Sequence, residues 1–419
     1  MLSRRQLIGA SIGTALAAPM AFGAGRALAA SQPPPPPGPM TAGVKPISTV
    51  ERNGRIEQLQ QRMLREGVGA LLVESGSSLE YFTGVRWSRS ERITAAIIPA
   101  KGAVVVVTPA FEAPSIRETL SVAGDVRPWN EHESAIALIV QALGDLGVRS
   151  GRVAVEQTIR FFIVDGVRSQ APGLELVSGE RLVRACRLIK SSAEIRLMQI
   201  ANDITLAALK SVHGAVQTGM TAGDIAGLMN NATAKLGGRP EFALVLLNEA
   251  SAFPHGSVTP QSVREGGVIL MDCGCTVEGY QSDISRSWVH GEASPRQRRV
   301  WNTVRQGQQI ALETASLGRP VGEIDDAVRA YYEREGWGPG YRLPGLSHRT
   351  GHGIGLDGHE APYLVHGDTT PLAPGMCFSD EPGLYIPGEF GIRLEDCWRM
   401  TDTGPQPFTP LARSVEDPI

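Results

Sequence analysis

Val268-Ile269-Leu270-Met271-Asp272-Cys273-Gly274-Cys275-Thr276-Val277-Glu278-Gly279-Tyr280-Gln281-Ser282-Asp283 is the stretch from which the fold can be read. Its first four residues form an apolar run of strand length, and the run leads into an acid. A second acid follows eleven positions later, beyond Val277-Glu278-Gly279-Tyr280. As a hairpin with a loop of two or four residues, the segment puts Asp272 directly opposite Asp283. Facing residues have Cβ atoms about 4.5 to 5.5 Å apart on one side of a sheet. Two carboxylates held so close repel, and one pKa rises unless a cation sits between them. A solvated pair on an exposed face is the alternative, but a buried run should not end in an uncompensated acid.

Working outward, the surroundings of this hairpin occur twice. Ser191-Ser192-Ala193-Glu194 carries a capping box for a long helix, Thr221-Ala222-Gly223-Asp224 opens a second, and the strand pair runs from Gly267 to Trp288. Ser294-Pro295 then starts another long helix, Val321-Gly322-Glu323-Ile324 a further one, and a second strand pair runs from Gly375 to Met400. Each half reads as helix, helix, paired strands, with an acid expected at the end of each first strand: Asp272 and Glu381. Pseudo-symmetry of this kind brings two hairpins together around one centre. The second hairpin adds Glu381, in Asp380-Glu381-Pro382-Gly383, and Glu395, in Gly391-Ile392-Arg393-Leu394-Glu395-Asp396.

Between the halves lies His348-Arg349-Thr350-Gly351-His352-Gly353-Ile354-Gly355-Leu356-Asp357-Gly358-His359-Glu360. The His348/His352 spacing imitates two ligands on one helical face. Alternate glycines argue against a helix, so an extended, backbone-exposed strand or loop is expected. Of the 8 histidines, His255, His348, His352 and His359 are near the acids in sequence, and His132, His213, His290 and His366 are assigned to the surface or to satisfied positions. Four carboxylates and one imidazole are hard ligands suited to two divalent ions of the Mn, Co or Zn type. Water bridging such ions ionises near neutral pH, which is the chemistry of hydrolysis.

The set Asp272, Asp283, His352, Glu381 and Glu395, with His255 in Phe253-Pro254-His255-Gly256 ahead of it, resembles the pita-bread metallopeptidases, within them the prolidase and aminopeptidase P branch. The likeness covers Ser191 to Met400 with all five ligand positions filled. It extends more weakly to an N-terminal domain similar to the one that branch shares with creatinase. The resemblance implies an α/β (α+β) chain with a creatinase-like domain over 47–185 and a pita-bread domain over 186–412. It further implies a homodimer, and a metal-dependent exopeptidase that cleaves the bond preceding proline in dipeptides or short peptides, the Xaa-Pro dipeptidase slightly favoured over the aminopeptidase. By that likeness Asp272, Asp283, His352, Glu381 and Glu395 hold two metals, manganese first among the candidates, and Glu381 also manages the proton of the attacking hydroxide. His255 and His359 steady the oxyanion and the leaving imide nitrogen, His348 lines the pocket, and Arg393 meets a substrate carboxylate. The rivals are a metal-free, creatinase-like C–N hydrolase and a catalytically dead peptide-binding module; the full ligand set argues against both.

The remaining sequence frames this centre. From Ile47 to Glu180 the chain alternates: Ile56 to Arg65 has helical spacing, Ala70 to Val73, Ala95 to Ile98 and Val104 to Val107 read as buried strands, and the amphipathic Ser134 to Leu146 leads to the strand Val153 to Glu156. Such alternation implies an α/β domain with a mixed sheet. Its loop bearing Trp87, Arg89 and Arg92 reads as surface. At the start, Ser3-Arg4-Arg5-Gln6-Leu7-Ile8, a Gly/Ala-rich stretch without acids and Ala27-Leu28-Ala29 resemble a twin-arginine export signal over 1–30, implying a periplasmic or secreted protein. Pro33 to Pro37 then forms an extended tether within a linker over 31–46. With 40 Lys+Arg against 43 Asp+Glu, no field of one sign exists to hold nucleic acid or an anionic membrane. The 5 cysteines make no framework. Cys273 and Cys275 are expected to point away from the side of Asp272, and Cys377 and Cys397 share the parity of Glu381 and Glu395; all read as small core filler, with a Cys377–Cys397 disulfide the alternative.

Overall fold

The computed structural model describes residues 38–419, which form one compact unit. The expected export signal and the run Pro33 to Pro37 lie outside the described residues. No helix among the described residues is long and apolar enough to cross a membrane.

The first half of the chain is the expected mixed sheet between helices. Its six strands lie in the order Gly124–Trp129, Val104–Pro109, Ala95–Pro99, Val68–Glu74, Gly151–Val155 and Leu174–Ser178. The central strand Val68–Glu74 pairs antiparallel with Ala95–Pro99 and parallel with Gly151–Val155. Burial on both faces explains its unbroken apolar run. Thr49–Glu66 is a helix capped by Ser48 and closed by the left-handed Gly67, and its Arg55 reaches Tyr280 Oη at 3.2 Å. Tyr280 in turn donates to Glu194 Oε1 at 2.8 Å, so the tip of the acid-bearing hairpin is anchored to the first domain.

In the second half the four expected helices form at the expected caps. Ser191 and Glu194 close a reciprocal capping box on Ser192–His213, Thr221 and Asp224 on Ala222–Lys235, and Ser294 and Gln297 on Pro295–Thr314. Gly322–Arg334 follows without a side-chain cap. The helices cover a sheet ordered Ile284–Val289, Val268–Val277, Arg239–Leu247 and another ordered Glu360–Leu364, Gly351–Gly353, Cys377–Asp380, Asp396–Thr401, Gly404–Pro407. Trp301 and Trp398, both fully buried, fill the core of the second repeat.

Two expectations about the hairpins are corrected. Asp272 lies opposite Ser285, not Asp283, because the turn is Glu278-Gly279, with Val277 paired to Tyr280. Both turn residues have positive φ, 51° and 85°, the geometry of the tight hairpin turn that favours Gly at its second position. The register therefore moves by two, and Asp283 becomes the diagonal neighbour of Asp272 on the same face. Asp272 is also not at a strand end; it sits in the middle of Val268–Val277.

The other three acids occupy interruptions. Asp283 falls between Tyr280–Gln281 and Ile284–Val289, Glu381 between Cys377–Asp380 and Gly383–Ile386, and Glu395 between Phe390–Arg393 and Asp396–Thr401. Interrupted pairing frees backbone groups, which find partners elsewhere. Glu381 N donates to Thr350 O at 2.8 Å and Glu395 N to Ser285 O at 3.0 Å. The breaks thus tie the second hairpin to the histidine segment and to the first hairpin.

The histidine segment is extended at Gly351–Gly353, as expected, but it is buried instead of exposed. A Cβ at Gly351 would stand 2.3 Å from Ser379 O, and one at Gly353 2.5 Å from Glu360 O. These glycines let neighbouring backbone close in on both sides, which is why the strand is covered. All five cysteines are buried and free, so the Cys377–Cys397 disulfide is absent. Their register explains it: Cys377 faces Arg399, while Cys397 faces Ser379.

Candidate metal centre

The two hairpins and the histidine strand bring the five expected ligands to one place. Ligand atoms of Asp272, Asp283 and Glu395 lie within 4.8 Å of one another, as do those of His352, Glu381 and Glu395, and those of Asp283, His352 and His359. His352 Nε2 is 3.4 Å from Glu381 Oε1 and 3.7 Å from Asp283 Oδ2.

Asp272, Glu395 and His352 are each held by one atom and bare at another. Asp272 Oδ2 accepts from Arg393 Nη2 at 2.6 Å, and Glu395 Oε2 from Ser285 Oγ at 2.8 Å. His352 Nδ1 faces Gly353 O at 3.1 Å; a carbonyl only accepts, so Nδ1 carries the proton and Nε2 presents a lone pair. Asp272 Oδ1, Asp283 Oδ1, Glu395 Oε1 and His352 Nε2 are buried with no hydrogen-bond partner. Orphaned buried acceptors call for an explanation, and four in one cluster, all with ligand chemistry, fit a divalent cation.

The electrostatics agree. Burial, then the charges of Asp272 and Glu381, push the Asp283 carboxyl well above the usual range. Burial, then Asp283, Glu381 and Asp272, do the same to Glu395. Burial raises Glu381 to about 7, with Arg393 opposing and Asp272 adding to the rise. Burial and the neighbouring His359 hold His352 well below the ordinary imidazole value, so it is neutral. A cation among these groups removes the repulsion.

The remaining site residues expected from sequence are placed as follows. Arg393 is buried and commits four of its five N–H groups: Nε to Ser285 Oγ, Nη1 to Pro254 O and Tyr385 Oη, and Nη2 to Asp272. One N–H is left without a partner among the described residues. His348 has both nitrogens engaged, Nδ1 with Arg349 O at 2.8 Å and Nε2 with Tyr385 Oη at 2.7 Å. Burial, then Arg393, lower its pKa to about 3, so it is a neutral wall of the site. His359 is exposed at the mouth and stacks on His352 with ring centroids 3.7 Å apart. His255 is exposed on the loop after Asn248–Ala252 and, unlike the others, makes no side-chain hydrogen bond.

Tyr385, Ser285 and Arg349 were not anticipated. Tyr385 joins Arg393 to His348; Ser285 holds both Arg393 and Glu395. The sequence did carry a signal for Ser285. Ile284-Ser285-Arg286-Ser287-Trp288 is a fully buried strand with three polar residues, and buried polar groups need partners. Arg286 meets Asp396 Oδ1 at 2.6 Å with both side chains buried, which locks the strand behind Glu395.

A model of metallopeptidase family M24 matches residues 196–402, and one of the creatinase/prolidase N-terminal domain matches 55–189. An uncharacterized peptidase of Schizosaccharomyces pombe is 32% identical over 385 residues, 87% of this chain and 82% of its own. The Xaa-Pro dipeptidase of Lactobacillus helveticus is 30% identical over 359 residues, 84% of this chain and 96% of its own. The crystal structure of a dipeptidase from Mycobacterium ulcerans superposes with a TM-score of 0.79 at 28% identity, covering 87% of this chain and 97% of that one.

Proposed function

The chain belongs to metallopeptidase family M24, and on that footing we propose that it is a dipeptidase hydrolysing Xaa-Pro bonds. The observation that carries this reading is the cluster of buried acceptor atoms on Asp272, Asp283, Glu395 and His352 that share one centre and have no protein donor. With Glu381, these residues would hold two divalent ions, manganese the first candidate: four carboxylates against the one guanidinium of Arg393 leave a surplus of negative charge. Bound there, the ions polarise the scissile carbonyl and make the attacking water acidic near neutral pH. A metal-free C–N hydrolase or a binding module would leave those bare acceptors without a purpose.

The chain's own groups do the rest. Glu381, in the cluster beside His352, would take a proton from the attacking water and return it to the departing nitrogen. His255 and His359, at the mouth, donate to the developing oxyanion and to the substrate beside it. A bond preceding proline has no N–H to anchor, so the substrate is held by ring packing and by its termini. His348 and Tyr385 form a wall for the ring, and the free N–H of Arg393 meets the carboxylate of a dipeptide.

The test is a comparison of Xaa-Pro dipeptides with tripeptides carrying proline second. One charge-assisted hydrogen bond contributes about 1.5 to 3 kcal/mol, so kcat/KM for the dipeptide is expected to be about 10- to 100-fold higher. Faster cleavage of the tripeptide would turn the reading into an aminopeptidase. Cleavage of neither would sink it.

For location we propose export through the twin-arginine pathway, supported by Arg4-Arg5 and the Ala27-Leu28-Ala29 stretch. Planar guanidinium pairs are not replaced by ammonium groups. Arg4→Lys with Arg5→Lys is expected to leave the protein in the cytoplasm, read by fractionation; an unchanged exported fraction would refute the assignment.

A further inference from the structure

His352 and His359 stack in parallel and both offer a ring nitrogen within 4.8 Å of a ligand atom on Asp283. Proximity alone makes either a metal ligand. What differs is the partner of each Nδ1. In His352 it is a carbonyl, Gly353 O, which leaves Nε2 bare. In His359 it is Arg349 Nη2 at 3.1 Å. A guanidinium has no acceptor and stays protonated, so His359 Nδ1 must be the accepting, unprotonated nitrogen. The single ring proton of a neutral His359 is thereby confined to Nε2.

A nitrogen that carries a proton cannot ligate a metal. We propose that Arg349 is a positioning residue that sorts these two histidines: it keeps His359 out of the ligand set and fixes it as an Nε2–H hydrogen-bond donor to the substrate, while His352 remains the ligand. Arg349 is itself well placed for this. It is half-buried, its guanidinium lies over an aromatic face, 4.2 Å from the Tyr363 ring centroid, and it forms no ion pair with a carboxylate among the described residues. Its donors are therefore not drawn away from His359. No proton is transferred in this role; the donor stabilises an oxygen and keeps its hydrogen.

The inference rests on the peptidase reading for its substrate, but the tautomer can be tested without it. In metal-free protein labelled with 15N-histidine, long-range proton–nitrogen spectra report which nitrogen of each ring is protonated, and His359 is identified by the signals lost in His359→Ala. Wild type is expected to show His359 with Nε2–H and a bare Nδ1, and Arg349→Met a mixture of tautomers. A protonated Nδ1 in wild type, or an unchanged spectrum in Arg349→Met, overturns the proposal. In metal-loaded enzyme acting on an Xaa-Pro dipeptide, Arg349→Met is expected to lower kcat about 10- to 100-fold, the usual effect of losing an orienting partner, with metal content unchanged. Arg349→Lys, which retains a donor, should recover part of the loss. In a His359→Ala background, Arg349→Met should cost nothing further, because residues acting through one another are not additive. Equal losses in both backgrounds, or loss of metal on changing Arg349, would show that Arg349 acts elsewhere. An inactive wild type would instead refute the peptidase reading and leave the spectra to decide the tautomer.

Discussion

Stripping the metal is expected to abolish dipeptide hydrolysis and to leave a protein that metal stabilises more strongly as the pH rises from about 4.5 to about 7. Activity falls by about 10³-fold or more, because Lewis-acid polarisation is worth several kcal/mol and each ~1.4 kcal/mol is a factor of ten. The stability effect follows from the raised carboxyls. Glu381 is pushed from 4.5 to about 7 by burial, and burial with the neighbouring carboxylates pushes Asp283 and Glu395 up as well. Between the unfolded and folded pKa values the metal-free native state binds more protons than the unfolded chain. The contribution of Glu381 to stability is therefore full below about 4.5 and is lost as the pH rises through about 7. Metal ions bind the ionised carboxylates and compete with those protons, so their contribution grows over the same window. Melting temperatures of metal-free and manganese-loaded protein, measured side by side across this range, check the claim; the difference cancels titrations elsewhere in the chain. A metal-induced shift that is constant with pH would contradict it, and full activity in demonstrably metal-free protein would remove the metal from the mechanism.

How much of this centre was legible in the sequence depends on the range over which each feature is decided. The helix caps were legible because Ser191 with Glu194, and Thr221 with Asp224, act within three residues. Asp272 stood out because it follows the buried apolar run Val268-Ile269-Leu270-Met271, where only a partner or a cation makes a carboxylate tolerable. The pairing of Asp272 with Asp283 was wrong because register depends on where the turn falls, and Glu278-Gly279 with two positive φ values was the local signal that fixed it. The face survived this error, since a shift of two preserves side-chain parity. Partnerships such as Arg393 with Asp272, 121 positions away, or Ser285 with Glu395, 110 positions away, were beyond reach, because they depend on how two hairpins meet. So was the burial of Gly351–Gly353, which follows from neighbours closing on backbone without Cβ atoms.

Replacing His352 with alanine is expected to empty at least one metal position and to lower kcat by about 10³-fold or more, the scale set by Lewis-acid polarisation. Its bare Nε2 is the one neutral acceptor between Glu381 and Asp283. Without it, carboxylates that already repel one another lose a donor to the cation, and their apparent affinity for metal falls. Replacing His255 should act differently. It is exposed and bonds to none of the acids, so His255→Ala should retain the metal and the melting temperature of the parent. If it donates to the oxyanion, kcat falls by about 10²- to 10³-fold, the effect of removing one such donor. A histidine that merely packs would instead lower stability while the surviving folded molecules kept their turnover. Metal stoichiometry, kcat and melting temperature measured together on both variants separate these roles. Full metal content in the His352 variant, or metal loss in the His255 variant, would reverse the assignment of ligand and catalyst.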